Sequence, residues 1–229
     1  MTEKWVRLSY LIGQEDTQAA EEFKIPAPKL HALSRIEDGM MSNVGQIELG
    51  FHAGTHMDVP RHFDPEGLTM EAFEIEDFIF QAPLLVEVEK KPGEEIGAED
   101  LRPHEAALKN CDLLLIRTGF SKYRLVDFKK YVEDYPGLSP EAAAYLAGIG
   151  SLKGIGIDLI GIENILRGRR RGFTVHKSLL CRGMKFIIIE DMNLEPLVNR
   201  KIECVHAVPL MIRHAEASPV TVMAKIEWP

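Results

Sequence analysis

Phe51-His52-Ala53-Gly54-Thr55-His56-Met57-Asp58-Val59-Pro60-Arg61-His62-Phe63 is the stretch around which the chain is organised. Three of the chain's 8 histidines fall in it, with an aspartate between the second and the third. Imidazole and carboxylate together suit zinc, manganese or iron, and histidine is the commonest metal ligand. His52 and His56 are four apart, as in a helical zinc pair, but Gly54, β-branched Thr55 and Pro60 argue against a helix. In a strand, positions 52, 56, 58 and 62 share one parity and one face. An extended chain would hold His52 and His56 about 13 Å apart at about 3.3 Å per residue, whereas ligands of one ion lie about 2.0–2.2 Å from it. The backbone must therefore bend, and Gly54 and Pro60 let it. The segment reads as a strand end turning into a rigid loop that gathers four polar side chains for a metal. The alternative is three unrelated histidines on a polar loop.

A chain of 229 residues can bury one large core, and nothing in its composition demands a second domain, so residues 1–229 are read as one. Hydrophobic content of 45% and charged content of 27% are those of a soluble globular protein. A formal net charge of −8 argues against a nucleic-acid binder, which needs a basic surface. Cys111, Cys181 and Cys204 are odd in number, far apart and without a CxxC, and read as reduced structural thiols of a cytoplasmic protein. No stretch approaches 18 apolar residues, and the N-terminus has no apolar run long enough for a signal peptide, so no membrane partner is expected.

Outward from the histidine segment, Ile47, Leu49 and Phe51 alternate with Gln46, Glu48 and Gly50. This predicts a half-buried strand within 41–51 that delivers the histidines at its end. Strands are also expected at Val6–Ile12 (closed by Gly13-Gln14-Glu15-Asp16), Ala82–Val88, Asp112–Arg117, Lys153–Ile160, Met184–Ile189, Ala207–Ile212 and Val220–Ile226. The apolar run Leu113 to Ile116 marks its strand as buried on both faces. A loop with Pro26 and Pro28 crosses the surface or the site's mouth. Helices are expected at Ala98–Lys109 with Asp100 as cap, across 121–133, and at Ala142–Ala147, where Ser139-Pro140 is a strong start signal. The fold class is α/β: a mixed β-sheet core with a few outer helices.

Further along, Thr174 caps a short helix that carries His176 in its first turn. Glu190, with Asp191 beside it, ends an apolar strand, where α/β sheets place site residues. Arg167-Gly168-Arg169-Arg170-Arg171-Gly172 reads as a solvated basic loop, or else as a contact to an anionic substrate or to an acidic patch on a second subunit.

The pattern His-x-Gly-Thr-His-x-Asp-x-Pro-x-His-Phe at 52–63 resembles the signature of the cyclase-like metal hydrolases, the family of bacterial kynurenine formamidases and isatin hydrolases. Arg117-Thr118-Gly119-Phe120, Gly154-Ile155-Gly156-Ile157-Asp158, His176 before Leu179-Leu180, Val208-Pro209-Leu210 and Ser218-Pro219-Val220 extend the likeness nearly end to end. The spacing from Gly183 to Glu190 is about two residues longer than in that pattern. An even insertion keeps strand parity, which selects Glu190 over Asp191.

The resemblance implies a core of the swivelling β/β/α type and hydrolysis of an amide-type bond by metal-activated water. It implies that His52, His56 and Asp58 hold a first ion, that Asp58 bridges to a second held by His176 and Glu190, and that His62 is the general base and acid. A plain fourth ligand is the other role for His62. One or two Zn2+ per chain are expected, or Mn2+, together with a small-molecule substrate and a homodimer or homotetramer. N-formylkynurenine is the leading substrate, with a cyclic amide such as isatin or a non-catalytic metal-binding protein as alternatives. An aryl substrate needs an aromatic pocket, for which Phe51, Phe63, Trp5 and Tyr10 are candidates, and Arg117 and Thr118 are further contact candidates. Asp158 is read as holding a turn.

Overall fold

The computed structural model describes residues 2–13 and 17–228; Gln14, Glu15 and Asp16, expected to close the first strand, lie outside them. Eleven strands run in chain order: β1 (Thr2–Arg7), β2 (Lys29–Ser34), β3 (Val44–Glu48), β4 (His56–Asp58), β5 (Ile79–Phe80), β6 (Pro83–Glu87), β7 (Leu113–Arg117), β8 (Gly154–Ile157), β9 (Ile187–Glu190), β10 (Ile202–Pro209) and β11 (Ala217–Trp228). The helices are α1 (Ala98–Leu101), α2 (Glu105–Leu108), α3 (Phe128–Glu133), α4 (Pro140–Ala147), α5 (Ile165–Arg171) and α6 (Thr174–Leu180).

Nine strands form one mixed, nearly closed sheet in the order β5-β10-β11-β4-β9-β8-β7-β6, with β1 added on β11. β6, β7, β8 and β9 are parallel neighbours, the arrangement expected of strands joined by crossovers that carry helices. β4 then pairs antiparallel with both β9 and β11. The short strand bearing the histidine motif is thus the seam between the parallel and antiparallel halves.

Strand parity divides the core in two. Leu114, Ile116, Ile155, Ile157 and Ile188 pack outward against the helices, with Leu146, Val175 and Leu179. Leu113, Leu115, Ile187, Ile189 and Met57 turn inward and pack with Val222 and Ala224 of the antiparallel half. Because Met57 faces inward, His56 and Asp58 face the helices. Because Ile188 faces the helices, so does Glu190.

Several expectations need correction. β3 is exposed at all its residues, and it pairs only with β2 in a separate two-stranded sheet. Alternation marked a strand there, but that strand covers no core and ends before the histidine loop. The helix expected at 98–109 is two short α-helices joined by a 3-10 turn at Arg102–His104, which contains Pro103. Asp100 lies inside its first turn, and its Oδ2 accepts from the N–H of Gly97 at 2.7 Å. The 121–133 segment is a 3-10 turn (Phe120–Tyr123) followed by α3. Ser139 caps α4 as expected, its Oγ accepting from Ala142 N at 3.1 Å. All three cysteines are free, but Cys181 is exposed. No helix among the described residues is long and apolar enough to cross a membrane.

Candidate metal centre

The bend required between His52 and His56 occurs at Gly54, which adopts φ +69°, a left-handed conformation that costs a residue with Cβ. Beyond β4, Pro60 opens a 3-10 turn that ends at His62. Gly67 packs so tightly on this turn that a Cβ there would lie 2.6 Å from the Pro60 carbonyl carbon. Across the seam, His56 is the register partner of Glu190 and Asp58 that of Ile188. α6 brings His176 to the same place.

Five of the gathered side chains meet at short range. His56 Nε2 lies 3.3 Å from Glu190 Oε2 and 3.6 Å from Asp58 Oδ1. His52 Nδ1 lies 3.0 Å from Asp58 Oδ1, and His176 Nε2 lies 3.4 Å from Glu190 Oε1. Each of these imidazoles has its other nitrogen held by an acceptor. His56 Nδ1 donates to the Gly54 carbonyl at 2.9 Å, His176 Nδ1 stands 3.0 Å from Glu163 Oε2, and His52 Nε2 stands 3.4 Å from Glu216 Oε1. Such backing carboxylates and carbonyls fix tautomer and ring direction, as they do behind metal-binding histidines.

Whether a cation fits is decided by what is left unpaired. His56 Nε2 and both oxygens of Asp58 are buried without a hydrogen-bond partner; the His52 ring, though close, is out of line for one. A buried carboxylate with no donor is costly unless a cation meets it. Among the described residues three sets have ligand atoms within 4.8 Å of one another, and two of them contain Asp58: His52, His56 and Asp58, and Asp58, His176 and Glu190. The donors are imidazole and carboxylate, suited to a divalent ion, and Asp58 belongs to both sets. His62 belongs to neither. Its Nε2 is 3.9 Å from Asp58 Oδ2, and it falls in a third set with His52 and Glu216 nearer the mouth.

The electrostatics separate His62 as well. Burial would raise Asp58, but His62, His52 and His56 hold its carboxyl well below the usual range. Glu190, similarly opposed by burial, is drawn down to about 2 by His176 and His56. Burial opposes protonation of His52 and His176, yet Asp58 and Glu216 raise the first to about 10, and Glu163 and Glu190 raise the second to about 9. Unlike His52, His56 and His176, His62 is lowered, because burial and the nearby His52 and His176 outweigh the attraction of Asp58.

Glu163 and Glu216 escaped the sequence reading. Glu163 also stands 3.5 Å from the N–H groups of Val175 and His176, capping α6 from outside. Thr174 is that helix's first residue and does not cap it; Phe173 precedes it in a left-handed conformation. Between Glu190 and Asp191, only Glu190 enters the cluster. Asp191 adopts φ +53°, and its carboxylate takes Arg124 Nε and Nη2 and Tyr131 OH, each at 2.7 Å. Thr55 Oγ1 donates to the Asp191 carbonyl at 2.6 Å and so ties the motif loop to the end of β9.

A pocket of about 240 Å3 opens over the cluster. Its aromatic wall is Phe23, Phe63 and Phe173. Of the expected aromatics only Phe63 lines it: Trp5 packs on His206, Tyr10 lies under Arg124, and Phe51 borders the inner core. Arg117 is ion-paired to Glu87 and Glu195, and Thr118 donates to Asp158, so neither reaches the pocket. Asp158 holds the turn after β7, accepting from the N–H groups of Thr118 and Gly119. The basic run is not a loop: it forms α5, capped by Asn164.

The family model described as Putative cyclase matches residues 6–164, and the chain belongs to that family. A kynurenine formamidase of Bacillus mycoides is 28% identical over 178 residues, which cover 78% of this chain and 78% of the relative. Isatin hydrolase A from Labrenzia aggregata superposes with a TM-score of 0.82 at 20% identity, over 98% of this chain and 94% of the other. A structure described as a potential metal-dependent hydrolase with cyclase activity gives 0.75 at 22% identity, over 100% of both. At these identities the two structures speak for the fold.

Proposed function

We propose that the protein is a metal-dependent hydrolase of a small amide-type substrate, in the first instance an aryl formamide such as N-formylkynurenine, releasing the amine and formate. The carrying observation is the set of orphaned buried atoms, His56 Nε2 and both Asp58 oxygens, beside an aromatic-walled pocket that His52, His56, His62, His176 and Glu190 line. The likeness to a kynurenine formamidase supports the formyl substrate, and the fold of isatin hydrolase keeps a cyclic amide as the second choice.

His52, His56 and Asp58 would hold one ion, and Asp58, His176 and Glu190 a second, with Zn2+ or Mn2+ suited to these donors. A divalent ion there supplies Lewis-acid chemistry, making water a nucleophile near neutral pH and polarising a carbonyl. His62, whose pKa burial pushes down, takes the proton from the attacking water and returns it to the leaving nitrogen as the C–N bond breaks. The aromatic wall holds the aryl group and thins the water around the scissile bond. A merely metal-binding protein would direct all four motif side chains to one ion, whereas His62 falls outside the two sets that contain Asp58 and groups with His52 and Glu216 instead. The test is elemental analysis of purified protein followed by hydrolysis of formyl and cyclic amides. One or two zinc or manganese ions per chain and chelator-sensitive formamide cleavage are expected. A metal-loaded protein inert to both substrate types would overturn the reading.

Assembly belongs to the same proposal. The β2–β3 hairpin exposes Leu30, Leu33, Ile36 and Ile47, and Met41 in its connection is 100% exposed. A two-stranded sheet is marginal alone, and clustered exposed apolar side chains mark an interface. A second copy of the chain covers this hairpin in a homodimer or homotetramer. Light scattering should return a multiple of 25.8 kDa, and Leu33→Asp with Met41→Asp should shift it toward monomer. A wild-type monomer over a wide concentration range would refute this assembly.

A further inference from the structure

We infer that Arg169 binds a carboxylate or other anionic group that the substrate carries beside its scissile amide, which makes the enzyme selective for anionic aryl amides. The inference rests on the hydrolase reading and narrows its substrate class. It starts from the way α5 divides its arginines. Arg167 and Arg171, four apart, lie on one helix face and share Glu95: Arg167 Nε is 3.3 Å and Arg171 Nη1 2.6 Å from Glu95 Oε1. Arg169, two residues from each, is turned about 200° away at about 100° per residue, and lines the pocket over the metal cluster.

Its neighbours there leave the charge available. Arg169 Nη2 donates to the backbone carbonyl of Glu22, and among the described residues no carboxylate pairs with it. That single contact leaves most of the guanidinium's five donors for a ligand, in the planar fork that suits a carboxylate. Lys24, held at φ +59° on the turn that Arg169 contacts, adds a second cation to the same lining. Phe63 and Phe173, whose ring centroids are 5.3 Å apart, line the same pocket and lie 4.6 and 6.2 Å from the His176 ring. The pocket thus brings together metal donors, an aromatic wall and two cationic side chains, with Glu22 beside them. An aryl amide with an anionic substituent matches all three. The competing role for Arg169 is purely structural, joining α5 to the Glu21–Phe23 turn.

The experiment compares N-formylanthranilate with its neutral carboxamide analogue, which keeps the same scissile bond, using metal-loaded wild type, Arg169→Gln and Arg169→Lys. Wild type should prefer the anion. Arg169→Gln should lower kcat/KM for the anion by about 10- to 100-fold, the range of a charged hydrogen bond, mostly through KM, and leave the neutral substrate within about twofold. Arg169→Lys should restore part of the preference. A wild type that cleaves both substrates equally, or an Arg169→Gln loss that falls alike on both, would overturn the inference while hydrolysis itself stands. Cleavage of neither substrate would overturn the aryl-formamide reading, and the inference with it.

Discussion

Asp58→Asn is expected to emerge from purification almost free of divalent metal, while His176→Ala retains about half of a two-ion load. Asp58 is the carboxylate common to both ligand sets, so its loss weakens both positions, whereas His176 belongs to one. Asparagine keeps the shape but removes the charge, and metal binding at such sites depends on charged, deprotonated donors. The fold should survive, since neither Asp58 oxygen makes a hydrogen bond that holds the structure. Circular dichroism of the variant should therefore match wild type, and formamide hydrolysis should fall to background. Glu163→Gln tests the support behind the same site: it keeps a hydrogen bond to His176 but drops the charge, and changes to the group that holds a metal-binding histidine typically cost about 10–100-fold in metal affinity. Wild-type metal content in Asp58→Asn, measured by mass spectrometry, would show that the cluster is not the metal site.

What could be read from the chain before folding follows the range of the forces involved. The bend at Gly54, the turn at Pro60 and the parity of His56, Asp58 and Glu190 are local properties, set by backbone sterics and the two-residue period of strands, and they appear where expected. The same period failed to say what covers a strand. Ile47 alternates as a core residue would, yet it is 47% exposed on a hairpin that joins no large sheet, because alternation reports only that one face is apolar. Glu216 reaches His52 from a loop near the other end of the chain and Glu163 reaches His176 from a loop 13 residues before it, and their flanking residues carry no periodic or capping pattern that points to a histidine. The division of α5 was equally hidden. A run of arginines is uniform as sequence, and only Glu95 on one side and the pocket on the other make Arg169 different from Arg167 and Arg171.

His62→Ala should keep its metal and lose about 10²–10⁴-fold in kcat on a formyl-amide substrate, the usual contribution of a general acid–base. The Pro60 turn sets the imidazole over the cluster without joining it. Its ring centroid is 4.4 Å from that of His52 and 6.1 Å from that of His176, and its edge packs on Phe63 at 4.5 Å. At 3.9 Å from Asp58 Oδ2 it makes no hydrogen bond that would hold it as part of the donor set. It lines the pocket and is about a quarter exposed, so its nitrogen can meet both an attacking water and a leaving amine. A ligand role makes the opposite forecast, because His62 also falls within ligand range of His52 and Glu216. In that case metal content and activity would drop together, and added metal would restore part of both. Imidazole in the assay separates the two roles further: it should rescue a missing proton carrier by entering the space left in His62→Ala, while leaving the metal load unchanged. A metal-replete His62→Ala protein with near-wild-type kcat would show that the proton travels by another route.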